Sequence, residues 1–164
     1  MTPAERLALI DSLRAKEADV LSEEQQIAFD RSYVARHGLY GLLVVAWSVL
    51  CPKEKFVTGW HLEEVCKHLL AAITGHMPNL LINVPPGSSK SLLTSILLPA
   101  FVWGPMGQPH RKWMFAAFSE KRALTDAVKS RDFIASDWFQ RRWPTELEGN
   151  DHGGRPDVFQ PKAD

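Results

Sequence analysis

The sequence predicts an α/β fold: a helical N-terminal region followed by a βαβα unit with parallel strands. Three observations carry this reading. Up to about residue 75, apolar residues recur at the three-to-four spacing of helices. At Asn79 the texture changes to a short apolar run, residues 80–84, of strand length. A second such run, residues 112–118, follows one further helix-like segment. Strand, helix, strand and helix in that order imply parallel strands joined by a right-handed crossover.

Each element has a local reason. Leu7, Ile10 and Leu13 mark one face of a helix over residues 3–20. Ser22 followed by Gln25 has the form of a capping box, so a second helix starts near Glu23. Gly38 suits its C-terminus. Residues 40–50 form a third, more buried helix, stopped by Cys51 and Pro52. Residues 53–59 are a loop. Leu62, Val65, Leu69 and Ile73 give residues 60–73 an amphipathic helix, ended by Gly75 and Pro78. The first strand, residues 80–84, leads into a loop over 85–89 and a helix over 91–102 that Pro99 kinks or ends. A turn-rich connection over 104–109 precedes the second strand, 112–118. Ser119 is the N-cap of a helix over 120–135, and Ser136 caps a short one over 137–142, stopped by Pro144. The expected divisions are a helical region 1–58, a nucleotide-binding unit 59–144 and an irregular polar tail 145–164.

Composition bounds the function. The 164 residues suffice for one domain with a core, and 45% hydrophobic with 23% charged residues is an ordinary globular mix. The formal net charge of +0 argues against a uniformly basic surface for nucleic acid. The densest basic cluster, Lys121, Arg122, Lys129, Arg131, Arg141 and Arg142, is interleaved with acids and reads as a solvated helix face. The six Trp residues read as packing residues. Two cysteines, Cys51 and Cys66, make no disulfide scaffold and fit a reduced compartment. His61, Cys66 and His68 lack a fourth ligand and the paired spacing of a zinc site. Residues 1–13 carry charges throughout without a secretory apolar stretch, and the longest apolar run, 42–50, is too short to span a bilayer. The expectation is a soluble, cytoplasmic protein with no membrane association.

The chemistry is concentrated in residues 84–91. A phosphate-binding loop of the usual kind reads Gly, four residues, then Gly-Lys-Ser or Gly-Lys-Thr. Aligned on Lys90 and Ser91, this chain has Val84 and Ser89 where those glycines belong, and only Gly87 remains. The physical requirements are looser than the pattern. The loop must turn sharply and aim backbone N–H groups at phosphate oxygens, and the small residues Gly87, Ser88 and Ser89 permit close approach. Pro85 and Pro86 donate nothing but stiffen the entry. Lys90 reaches the β- and γ-phosphates of ATP, and the Ser91 hydroxyl holds Mg²⁺. On this reading Pro86, Gly87, Ser88, Ser89, Lys90 and Ser91 form a nucleotide site at the head of a partial P-loop NTPase sheet. A plain surface turn before a helix is the alternative reading of the same residues.

A family resemblance extends the pattern. Residues 56–63 (FVTGWHLE) with 65–69 (VCKHL) resemble the approach to the ATPase core in large terminase subunits of tailed bacteriophages. Residues 81–92 (LINVPPGSSKSL) resemble the deviant Walker A loop of that family, in which a double proline is common and the first glycine usually missing. Residues 99–105 (PAFVWGP), 115–119 (FAAFS), 131–134 (RDFI), Trp138-Phe139 and Arg142-Trp143-Pro144 continue the resemblance in order. It implies a motor that uses ATP and Mg²⁺ to package double-stranded DNA into a procapsid. It also implies a portal protein and a small terminase subunit as partners, and a homo-oligomeric ring.

The resemblance further implies a Walker B acid at the end of an apolar strand, a catalytic glutamate, an arginine near the transferred phosphoryl group and a C-terminal nuclease domain. No apolar strand follows Phe118, and Asp126, Asp132 and Asp137 read as solvated surface. The expectation is the N-terminal portion of such a subunit, one that binds ATP but hydrolyses little. Two other readings stand beside it: a different small phosphate-loop protein, and a non-enzymatic helical interaction module.

Overall fold

The computed structural model describes residues 22–146. The helix expected over residues 3–20, and all of the polar tail beyond Glu146, lie outside the described residues. Five α-helices and one π-helical segment follow one another: α1 (Glu23–Leu50), α2 (Trp60–Ile73), the π-helical segment Leu92–Leu97, α3 (Leu98–Trp103), α4 (Glu120–Ala135) and α5 (Asp137–Arg142).

Helix α1 starts as its sequence demands. Ser22 Oγ accepts from the Gln25 N–H and the Gln25 side chain accepts from the Ser22 N–H, a complete capping box. Gly38 then takes φ 61°, ψ −140°, a non-helical geometry, so the expected break falls there and two helical halves meet at a kink. The positive φ at Gly38 favours glycine, and a Cβ there would lie 3.0 Å from Leu70 Cδ1 of α2, a tight contact that the leucine would have to relieve. Beyond the kink α1 is the more buried half, with Leu39, Leu42, Leu43, Val45 and Ala46 in the core. Helix α2 buries Leu62 and Leu69 of its expected face together with Cys66, while Val65 and Ile73 pack partly buried against the core.

The centre of the domain is the helical run 90–103, buried on most sides through Leu93, Ile96, Leu97, Leu98, Ala100, Phe101 and Val102. It packs against α1 and α4. Pro99 lacks an N–H and its ring crowds the carbonyl four residues back. The wider π turn precedes it, with the Leu98 N–H bonded to Leu93 O, and α3 resumes with Pro99 in its first turn. Helices α4 and α5 close the other side. Ser119 Oγ accepts from the Arg122 N–H and Ser136 Oγ from the Phe139 N–H, so both expected caps form. Phe133, Trp138, Phe139 and Trp143 make an aromatic cluster at the α4–α5 corner. Arg142 reaches back from α5 to Asp30 of α1, a buried ion pair at 2.8 Å.

The expected α/β fold is overturned. The described residues are helical and contain no strand or sheet, so the parallel βαβα unit, and with it the P-loop NTPase sheet, is not formed. The reason is visible in both runs. Residues 80–84 alternate as a strand would, with Leu80 and Ile82 packed on the core and Leu81 92% exposed. Of residues 112–118, Trp113 packs against the core while Met114 and Phe118 are 97% and 98% exposed. An extended run becomes a strand only through a partner's backbone hydrogen bonds, and neither run supplies a ladder to the other.

Helix α1 is long and apolar enough, by length and composition, to cross a membrane. Its second half also supplies core residues, Leu39, Leu42, Leu43, Val45 and Ala46.

Candidate functional site

The loop expected to bind phosphate lines a cavity of about 810 Å³ between α1, α4 and the head of the central helical run. All six residues singled out from the sequence, Pro86, Gly87, Ser88, Ser89, Lys90 and Ser91, lie on its wall. Pro85 and Pro86 enter the turn. Ser88 closes it, its hydroxyl donating to Pro85 O at 2.7 Å. Gly87 takes φ 84° with nothing within 4 Å of where a Cβ would stand, so its backbone angle, not space, requires glycine.

Ser89 is the informative residue. It has φ 55°, and it is the only non-glycine residue with positive φ among those described. A left-handed conformation without glycine costs about 1 kcal/mol or more. Ser89 stands where the usual phosphate loop has its second glycine, and it takes the type of conformation that glycine favours. The helix begins at once: the Leu93 N–H bonds Ser89 O at 3.0 Å, and Thr94 Oγ1 donates to Lys90 O at 3.0 Å. Lys90 and Ser91 therefore sit in the first turn of a helix, where backbone N–H groups have no intrahelical acceptor.

Helix α4 forms the opposite wall. Arg122, Asp126, Lys129 and Phe133 recur at four, three and four residues and share one face. The acids of this helix were expected on solvated surface: Asp132 is 62% exposed, as expected, at the cavity's edge, whereas Asp126 lines the cavity with its side chain only 18% exposed. Arg122 Nε donates to Asp126 Oδ2 at 3.2 Å and its Nη2 to Ser91 Oγ at 3.3 Å. Asp132 pairs with Arg131 at 2.9 Å. Lys90 and Lys129 remain as further cations of the wall. The sequence signal that points to this wall is the i, i+4, i+7 spacing after the Ser119 cap.

The third wall is the end of α1 and the loop after it. Trp47, Leu50 and Cys51 present an apolar surface, fixed by the bond from Trp47 Nε1 to Glu54 O at 2.8 Å. Burial, then the carboxylate of Glu54, pushes the Cys51 thiol up from its ordinary value. Cys66 lies apart, in the core, where burial and then Glu63 push its thiol up to about 12. It does not converge with histidines into a metal site: His68 is exposed, with Nδ1 2.7 Å from Glu64 O. Among the described residues no three His, Cys, Asp or Glu side chains form a metal-binding group.

The arrangement suits an anionic ligand with a flat apolar end. Small loop residues, first-turn N–H groups, the cations Lys90, Arg122 and Lys129 and the apolar Trp47 and Leu50 line the cavity, together with the carboxylates Glu54, Asp126 and Asp132. For Mg²⁺ the fitting donor is the Ser91 hydroxyl; Glu54, Asp126 and Asp132 are the carboxylates of the same cavity, with Asp126 paired to Arg122 and Asp132 to Arg131. No family model, curated protein or solved structure matches the chain.

Proposed function

We propose that this chain binds ATP with Mg²⁺ at residues 86–91. We further propose that it serves as the ATP-binding portion of a phage terminase large subunit, the motor that packages double-stranded DNA into a procapsid. The observation that carries the binding reading is Ser89. A serine held at φ 55°, directly before a Lys-Ser pair that lines the same cavity, is costly for a plain surface turn and useful to a phosphate loop. Lys90 supplies charge to the phosphates, first-turn N–H groups supply hydrogen bonds, and the wall at Trp47 and Leu50 suits the base. Bound at the Ser91 hydroxyl, Mg²⁺ would neutralise charge between the β- and γ-phosphates.

The packaging role rests on the sequence resemblance over roughly residues 40–144. With it come DNA, the portal protein and the small terminase subunit as partners, a homo-oligomeric ring, and the cytoplasm of the host cell as location. The proposal for this chain is binding, not turnover.

Tryptophan fluorescence tests the binding reading, because Trp47 lines the cavity. Mg-ATP is expected to change the emission of the wild-type chain saturably, and to change that of Lys90→Ala or Trp47→Phe much less. A flat titration of the folded wild-type chain contradicts it. A flat titration is what a helical interaction module would give, a reading favoured by the exposed Val57, Trp60, Leu81, Met114 and Phe118.

A further inference from the structure

Met114 and Phe118, 97% and 98% exposed, are the two most exposed large apolar side chains among the described residues, and both stand on the extended run 112–118. The inner side of the run is fixed: Trp113 packs on the core and stacks parallel to Phe115, ring centroids 6.1 Å apart. Its backbone is free, since none of the described residues makes a backbone hydrogen bond to it. A cover that buries these side chains must also offer N–H and C=O groups to that backbone, which an extended segment does and a helix face does not. We propose that this run is the docking surface for the chain's own residues 155–160, with Val158 and Phe159 covering Met114 and Phe118 and Asp157 facing Lys112. No residue of the surface lines the nucleotide cavity, so the proposal stands apart from the nucleotide reading.

Charge and chain path select that segment. Residues 65–119 hold no Asp or Glu, although the whole chain is neutral, and His110, Arg111 and Lys112 stand exposed at the head of the run. The matching cover is therefore acidic as well as apolar. Residues 147–164 carry Glu148, Asp151, Asp157 and Asp164 against Arg155 and Lys162, and Val158-Phe159 is their one adjacent apolar pair. Pro156 and Pro161 bracket the pair and, lacking N–H groups, confine backbone pairing to the residues between them. Residues 1–21 are nearly balanced in charge and read as a helix, which has no backbone to spare. The path is short. Trp143 Cβ lies 3.0 Å from where a Cβ on Gly104 would stand, and Trp103 donates its indole N–H to Arg111 O at 2.8 Å. The end of α5 and the head of the run are thus neighbours, and an extended stretch from Glu146 to Asp157 spans up to about 35 Å, enough to reach the whole run. Being tethered, the segment outcompetes a similar cover from another molecule through its high effective concentration.

Amide hydrogen exchange on the 164-residue chain tests this, with the amides of α1 and α3 as the folding control. Residues 112–118 are expected to exchange at least about tenfold more slowly in the wild-type chain than in Val158→Ser/Phe159→Ser, at equal protection of the control helices. Lys112→Glu is expected to speed exchange in the run, and Lys112→Glu/Asp157→Lys to restore it, which a general loss of stability would not do. Equal exchange of the run in the wild-type chain and in Val158→Ser/Phe159→Ser overturns the proposal. So does protection that rises with protein concentration and survives those two substitutions, which would make a second copy of the chain the cover. A Lys112→Glu effect that Asp157→Lys does not reverse contradicts the pairing of these two residues.

Discussion

Asp30 and Arg142, 112 positions apart, form an ion pair with Arg142 Nε 2.8 Å from Asp30 Oδ2, and their side chains are only 10% and 9% exposed. The arginine is fully engaged: Nη1 donates to Trp138 O at 3.0 Å, and the guanidinium lies 4.2 Å from the Trp138 ring centroid. The pair ties α5 to the first half of α1, the two ends of the described chain.

Arg142→Ala removes a buried charge-assisted contact together with the stacking on Trp138, and is expected to lower stability by about 3 kcal/mol. The double variant Asp30→Ala/Arg142→Ala is expected to lose less than the sum of the two single variants, since each single variant already removes the shared contact. Urea unfolding of the four proteins checks this; additive losses would mean the pair is not coupled.

The left-handed Ser89 makes its own prediction. Ser89→Gly removes the steric cost and is expected to raise stability by up to about 1 kcal/mol, offset in part by the added freedom of the unfolded chain. Ser89→Val is expected to destabilise by more than that, since a branched side chain tolerates positive φ least. Thermal unfolding distinguishes the two. Equal melting temperatures for Gly and Val would mean that the turn does not hold Ser89 in this conformation.

The two thiols should behave differently. Cys51 lines the cavity and is half-buried, whereas Cys66 is 1% exposed. A thiol reagent is expected to label Cys51 in the folded chain, with the rise in rate on ionisation displaced to higher pH than for a free thiol because its thiol is raised, and to reach Cys66 only on unfolding. Mg-ATP should slow the labelling of Cys51. Unslowed labelling at saturating nucleotide would place the ligand elsewhere.

Burial of Cys66 also sets a pH dependence. Its folded value of about 12 lies above its ordinary value of 9.0, so folding favours the protonated thiol. That contribution is complete below about pH 9 and is lost progressively as pH rises towards 12. The stability of the wild-type chain should therefore fall more steeply than that of Cys66→Ala across this window. Parallel curves contradict it.

What could be read from the sequence was what local chemistry decides. The Ser22–Gln25 box, the Ser119 and Ser136 caps and the break at Gly38 all act within a few residues, and each is found in the structure. The more buried helix expected over residues 40–50, directly after Gly38, is also found, with Leu42, Leu43, Val45 and Ala46 in the core. Strand formation is not a local property. Residues 80–84 have the length and the alternation, yet no ladder partner, and the sequence of the run alone does not reveal that. The same holds for the site. Pro86 to Ser91 are contiguous and could be proposed, whereas Arg122 meets Ser91 only because α4 packs against the π-helical segment.

The central claim is that Lys90 and its loop bind the phosphates of ATP, and a thermal-shift titration with Mg-ATP on the wild-type chain and Lys90→Ala tests it most directly. A ligand that binds only the folded state raises its stability by RT ln(1 + [L]/Kd), about 2.7 kcal/mol at a hundredfold excess over Kd. The account predicts a melting temperature that climbs with Mg-ATP in the wild-type chain and stays level in Lys90→Ala. A wild-type melting temperature that ignores Mg-ATP, or one that climbs equally in Lys90→Ala, would contradict it.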